Sequence, residues 1–138
     1  MDYDLSWEPA RLQFDRVHAA LAGSYWSPGV ARERVERAAE NSLVLGVYAR
    51  GSGEQIAYAR VISDRTTLAY LCDVIVFEGY RGHGVGKAMV TAILAHPELQ
   101  LVRRFLLATH DAHGLYAQFG FGPVVADRWM ELRRLSRV

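Results

Sequence analysis

Asp73-Val74-Ile75-Val76-Phe77-Glu78-Gly79-Tyr80-Arg81-Gly82-His83-Gly84-Val85-Gly86-Lys87 changes character twice, from a β-rich run to a glycine-punctuated turn to a helix-forming segment. The order is strand, loop, helix. Glycines at 82, 84 and 86 remove Cβ atoms where the chain bends sharply and let backbone N–H groups approach a ligand. Arg81 and Lys87 flank them. A helix starting here turns unpaired N–H groups and the positive end of its dipole on one point, which suits a phosphate or diphosphate.

Spacing decides between phosphate ligands. The nucleotide P-loop requires Gly five places before its Gly-Lys pair, where this chain has Arg81, and Ala88 stands in place of the magnesium-binding Ser or Thr. The dinucleotide fingerprint G-x-G-x-x-G fails as well: its last glycine falls on Lys87 when read from Gly82 and on Met89 when read from Gly84. A nucleotide-dependent phosphotransferase is therefore disfavoured.

Arg81-Gly82-His83-Gly84-Val85-Gly86 fits the pattern [RQ]-x-x-G-x-[GA] at every fixed place, and Leu115-Tyr116-Ala117-Gln118-Phe119-Gly120-Phe121 fits L-Y-x-x-x-G-F downstream. In both motifs, and in their order, the chain resembles the GNAT N-acetyltransferase family. The resemblance covers nearly the whole chain. It implies an acetyl-CoA co-substrate anchored by the loop from Arg81 through Gly82, His83, Gly84, Val85 and Gly86 to Lys87. It further implies that backbone groups of Ile75, Val76 and Phe77 receive the pantetheine arm and the thioester carbonyl.

Composition bounds the rest. A chain of 138 residues with 51% hydrophobic content reads as one globular domain, and a net charge of +1 gives no electrostatic case for nucleic acid or an anionic membrane. The single cysteine, Cys72, excludes an internal disulfide and reads as a small buried apolar residue on a strand. Met1-Asp2-Tyr3-Asp4 lacks the layout of a signal peptide and no apolar run approaches a membrane span, so a cytoplasmic protein is expected, as a monomer or homodimer.

Along the chain, Tyr3, Leu5 and Trp7 alternate as a first strand, and Glu8-Pro9-Ala10 resembles a helix opening whose face carries Phe14, Val17 and Leu21. Ser27-Pro28 predicts an N-cap and first turn of a second helix to about Glu40, with Arg32, Glu33, Arg34, Glu36 and Arg37 as its solvated face. Residues 44–48 and 56–62 read as a hairpin about Gly51-Ser52-Gly53, Asp64 to Thr66 as a turn, and Thr67 to Phe77 as a third strand. A helix follows the glycine loop and stops at His96-Pro97. Phe105 to Thr109 reads as a buried parallel strand, 111–119 as a helix closed by Gly120, and Val124-Val125 and Trp129 to Leu135 as the last strands. The fold class is α/β, an N-terminal antiparallel meander and a parallel central pair in one mixed sheet flanked by helices.

Acetyl transfer to an amine needs an anchored donor, a polarised carbonyl, a deprotonated amine and a proton for the departing thiolate. By the resemblance, Tyr116 supplies that last proton. Asp73 stands on a strand among apolar neighbours, with Leu71, Ile75 and Phe77 on its face by alternation, and so either pairs with a cation or receives the substrate ammonium and its proton. Glu78 is the second candidate base. Where the family often has an asparagine, this chain has Thr109-His110-Asp111-Ala112-His113; Thr109 takes over part of that coenzyme contact and Asp111 is expected as the helix N-cap. His110, Asp111 and His113 make a poor ligand set, and no metal is expected. Tyr25 and Trp26 are expected to wall an acceptor pocket for a cationic amine, a small molecule. His83 and Arg103-Arg104 read as solvent-facing. The alternative to an enzyme is an acyl-CoA sensor that binds without transfer.

Overall fold

The computed structural model describes residues 1–135 of the chain. Its residues fall into two compact units, Met1–Ala108 and Thr109–Val138. In the first, β1 (Tyr3–Ser6), β2 (Leu43–Ala49), β3 (Gln55–Ser63) and β4 (Leu68–Val76) pair antiparallel in chain order, and β5 (Arg104–Leu107) joins β4 in parallel. This is the mixed α/β sheet read from the sequence. The parallel pair ends the sheet, because no strand follows β5 among the described residues.

Local chemistry fixes the meander's turns. Gly51 and Gly53 take φ of 93° and 75° between β2 and β3. Between β3 and β4 the Asp64 carboxylate accepts from the backbone N–H groups of Thr66, Thr67 and Leu68 and from the Thr67 hydroxyl. Those donors favour the ionised form and hold the Asp64 carboxyl far below the usual range.

Helices α1 (Phe14–Ala22) and α2 (Arg32–Glu40) cover one face of the sheet. Val17 and Leu21 of α1 and Val35 and Ala39 of α2 form one buried cluster with Val44, Tyr58 and Phe77. Burying each large side chain is worth about 1.5–3 kcal/mol, so this layer is a principal source of stability. Helix α3 (Val85–Leu94) contacts β2, β3 and β4 yet adds nothing to that cluster, which places it on the opposite face. A polar clip ties α1 to β3: Gln13 and Gln55 exchange backbone-to-side-chain hydrogen bonds at 2.9 Å each, and the Gln55 amide also donates to Ala57 O.

Several element boundaries differ from expectation. Pro9–Arg11 forms a separate 3₁₀ turn, and α1 begins only at Phe14. Ser27-Pro28 does not start α2: Val30 N donates back to Ser27 O, Gly29 sits at φ 67°, and the helix begins at Arg32 after Ala31. The second unit holds α4 (His113–Ala117), a turn at Gly120 with φ 94°, and a 3₁₀ turn at Ala126–Arg128. Val124-Val125 and Trp129 to Leu135 are not strands. A strand needs a ladder partner, whereas among the described residues Arg128 N and Trp129 N turn back to Val125 O and Ala126 O, and Met130 and Leu135 stay 98% and 95% exposed.

Candidate active site

The glycine loop has the conformation its sequence demands. Gly79, Gly82 and Gly84 stand at φ of 92°, 87° and 73°, and a Cβ at any of the three would meet nothing within 4 Å. Their need is for left-handed backbone, not for room. Gly84 is the N-cap of α3 and offers no side-chain cap, so no side chain of its own occupies the first N–H groups of that ten-residue helix. Arg81, Gly82, His83 and Lys87 are exposed, Gly86 is half-buried, Val85 is buried, and Arg81 Nε lies 3.4 Å from Val76 O. Positive charge and free donors thus meet at one turn, as an anionic diphosphate requires.

A fork in the sheet leads into this loop. Pairing of β4 with β5 runs from Leu68↔Arg104 to Leu71↔Leu107 and ends there, while β4 stays paired with β3 as far as Val76. The β5-facing edge of β4 after Leu71 therefore carries backbone groups outside the ladder. Val76 and Ile75 lie on that stretch and Phe77, 6% exposed, follows it, its N–H donating to Ile56 O.

Opposite the fork, β4 bulges. Tyr58 faces Ile75 and Arg60 faces Cys72, so Ala59 alone stands opposite both Asp73 and Val74. Asp73 takes φ 54°, a left-handed conformation that costs a non-glycine residue about 1 kcal/mol. The extra residue breaks the alternation: Asp73 does not share a face with Leu71, as a regular strand would require. Its carboxylate instead accepts from Arg60 Nε at 2.9 Å and from Trp26 Nε1 at 3.0 Å. Of the two roles open to Asp73, pairing with a cation is the one its contacts display. Arg60 was missed by reasoning from the sequence, although a lone arginine within Ile56-Ala57-Tyr58-Ala59-Arg60-Val61-Ile62, one hairpin from a lone aspartate, was a usable signal.

The segment between α1 and α2 reaches this bulge through Trp26. Tyr25 and Trp26 are 55% and 40% exposed and pack edge to face at 5.0 Å. Glu78 is exposed in the turn after β4. Cys72 is half-buried, its Sγ 3.5 Å from Arg60 O, and burial pushes its thiol up to about 11. Such a thiol is not a nucleophile at neutral pH.

Within the second unit, Tyr116 is buried and packs edge to face on Phe121 at 5.7 Å, with Phe121 N donating to Tyr116 O. Thr109, not Asp111, supports the start of α4: its Oγ1 accepts from Ala112 N at 3.0 Å, and Ala112 is the N-cap. Thr109 thus closes a turn on the N–H of the N-cap residue itself, no side chain caps the helix, and Asp111 stays exposed. Among the described residues no group of three or more His, Cys, Asp or Glu side chains is placed to hold a metal ion, and no helix is long and apolar enough to cross a membrane.

Comparison with known proteins bears on the family and the fold. A profile of the acetyltransferase (GNAT) family matches residues 4–121. A Gibberella zeae protein described as an acetyltransferase is 29% identical, the match covering 85% of this chain and 77% of that one. A Xanthomonas campestris structure assigned to the GNAT acetyltransferases superposes with a TM-score of 0.90 at 40% identity, over 98% of this chain and 94% of the other. An acetyltransferase structure from Clostridium acetobutylicum, determined with acetyl-CoA, shares the fold at a TM-score of 0.68 and 16% identity, covering 96% of this chain and 95% of that one.

Proposed function

Because the chain belongs to the acetyltransferase (GNAT) family, we propose that it transfers an acetyl group from acetyl-CoA directly to the amine of a small-molecule acceptor. The observation that carries this reading is the fork: a β4 edge released from β5 at Leu71 runs straight into three left-handed glycines and an uncapped helix start. The residues fit the donor. Arg81, Lys87 and the amides from Gly82 to Gly86 would hold its diphosphate, and the strand edge from Ile75 to Phe77 its pantetheine arm, with Thr109 contributing a side-chain contact.

The remaining chemistry falls to side chains. A carbonyl resting on backbone N–H groups is polarised without any proton transfer. Asp73, fixed by Arg60 and Trp26, attracts and orients the ammonium that Tyr25 and Trp26 flank, and takes its proton directly or through water. Glu78, exposed at the end of the strand, is the alternative acceptor of that proton. Tyr116, on its family motif, returns a proton to the thiolate. Attack of the neutral amine on the thioester carbon forms the amide bond as the carbon–sulfur bond breaks, and no acyl-enzyme is needed. The protein works in the cytoplasm on this reading, as a monomer or homodimer.

Thiol release from acetyl-CoA against a library of amines tests the proposal. Turnover with at least one amine, reduced by Tyr116→Phe at nearly unchanged coenzyme affinity, is expected. Coenzyme binding without thiol release across the whole library would instead make the protein an acyl-CoA sensor.

A further inference from the structure

Arg60 has a second role that its bond to Asp73 does not exhaust. Its Nη1 donates to Ser42 Oγ at 3.1 Å, and the guanidinium forms one wall of a cleft of about 450 Å³ between α2 and β3, which Arg34 and Arg37 also line. No acidic side chain lines this cleft. Arg60 already faces Asp73, but Arg34 and Arg37 bring two further positive charges to this opening that no carboxylate of its lining offsets.

Arg34 and Arg37 are exposed on the solvated face of α2, yet they differ from Arg32 beside them. Arg32 on the same helix binds both Asp15 and Glu36. Glu33 stands four residues before Arg37, the favourable order for a helical ion pair, yet among the described residues neither Arg34 nor Arg37 has a carboxylate within ion-pair distance. The other polar groups of the lining are already engaged as acceptors' partners. Asn41 Nδ2 donates to Arg37 O and Ser42 Oγ to Ala38 O, sealing the last carbonyls of α2. Those caps blunt the negative end of the helix dipole, about half a charge, beside the two positive charges of Arg34 and Arg37.

We infer that this cleft binds an anionic group, a carboxylate or a phosphate monoester, carried by the acceptor amine. The inference rests on the acetyl-transfer reading for the amine end alone. Arg60 places the two ends in one ligand: one edge of its guanidinium holds Asp73, where the ammonium is received, and the other faces the cleft. The acceptor is thus a short zwitterion, its amine and its anion a few bonds apart. Its anionic end would find the N–H donors of Arg60 left over after Asp73 and Ser42, together with Arg34 and Arg37.

Two measurements separate this inference from the enzymatic reading. In the first, inorganic phosphate and malonate are titrated separately into the protein at low ionic strength while backbone amide resonances are followed. Those of Asn41 and Ser42 are expected to shift saturably with at least one anion, those of Gly82 and Gly84 to report the coenzyme loop independently, and Arg34→Ala/Arg37→Ala to weaken only the former, by roughly tenfold to a hundredfold. No saturable shift at Asn41 and Ser42, or one unaltered in the double variant, overturns the inference whatever the enzymatic activity. In the second, thiol release is compared for amino acids against their amides and for amino-alkyl phosphates against amino alcohols, which distinguishes carboxylate from phosphate. The anionic member of one pair is expected to be preferred, and the double variant to lose that preference through KM with kcat retained. Transfer without discrimination overturns the inference and leaves the acetyltransferase; anion binding without transfer to any amine overturns the acetyltransferase and leaves the anion site.

Discussion

Arg60 on β3 donates through Nε to Asp73 on β4 at 2.9 Å, with the two side chains only 16% and 12% exposed. A shielded pair of this kind is dear to break from one side, because the surviving charge keeps its burial and loses its partner. Arg60→Ala is therefore expected to destabilise the protein by about 2–4 kcal/mol, and Arg60→Ala/Asp73→Ala by less than the sum of the single changes. Urea titrations of the four proteins in this cycle check it. Strict additivity would mean that the two groups do not act as a pair.

Tyr48 and Gly46 make a second dependence on β2. A Cβ on residue 46 would lie 2.3 Å from Tyr48 Oη and 2.6 Å from its Cζ, so the ring occupies the space a side chain at 46 would need. Tyr48 is itself 1% exposed and cannot swing into water without opening the sheet. Gly46→Ala should cost about 1–3 kcal/mol by overpacking. Pairing it with Tyr48→Ala should cost less than the two changes summed, measured as the shift in thermal midpoint. An unaffected Gly46→Ala protein would show that the ring has another place to go.

Burial raises the Cys72 thiol from 9.0 to about 11 and raises the Tyr58 phenol as well. Between those limits the folded protein keeps a thiol proton that the unfolded chain has released, so stability is complete below about pH 9 and declines as pH rises toward about 11. The Cys72 contribution to that decline is about 2–3 kcal/mol. Urea midpoints near pH 8 and near pH 10.5 should differ less in Cys72→Ala than in the unaltered protein. An identical alkaline loss in both would remove Cys72 as the cause.

These dependences mark where the sequence was readable and where it was not. The turns at Gly51, Gly53 and Asp64 and the strand-loop-helix passage into α3 follow from periodicity and turn chemistry, because each is set by residues adjacent in the chain; β5 is parallel as expected, but it is the half-buried edge strand and ends at Leu107 rather than a buried strand to Thr109. Ser27-Pro28 resembled a helix start, but the left-handed Gly29 diverts the chain and only Arg32 begins α2. Asp73 was singled out correctly as an unusual strand residue, while its face was misread, since a bulge leaves no trace in a period-2 pattern. Its partner Arg60 lies in another strand, and only the register of the meander brings them together. The C-terminal alternation from Trp129 to Leu135 has the look of a strand and lacks the ladder that would make it one.

The central claim is that the Arg81–Lys87 loop grips the diphosphate of coenzyme A, and calorimetric titration with acetyl-CoA measures it directly. The account predicts saturable one-to-one binding to the unaltered protein and a loss of roughly tenfold or more in affinity for Arg81→Ala/Lys87→Ala, whose exposed side chains should leave the fold intact. Absence of binding by the unaltered protein, or equal affinity in the double variant, would contradict it.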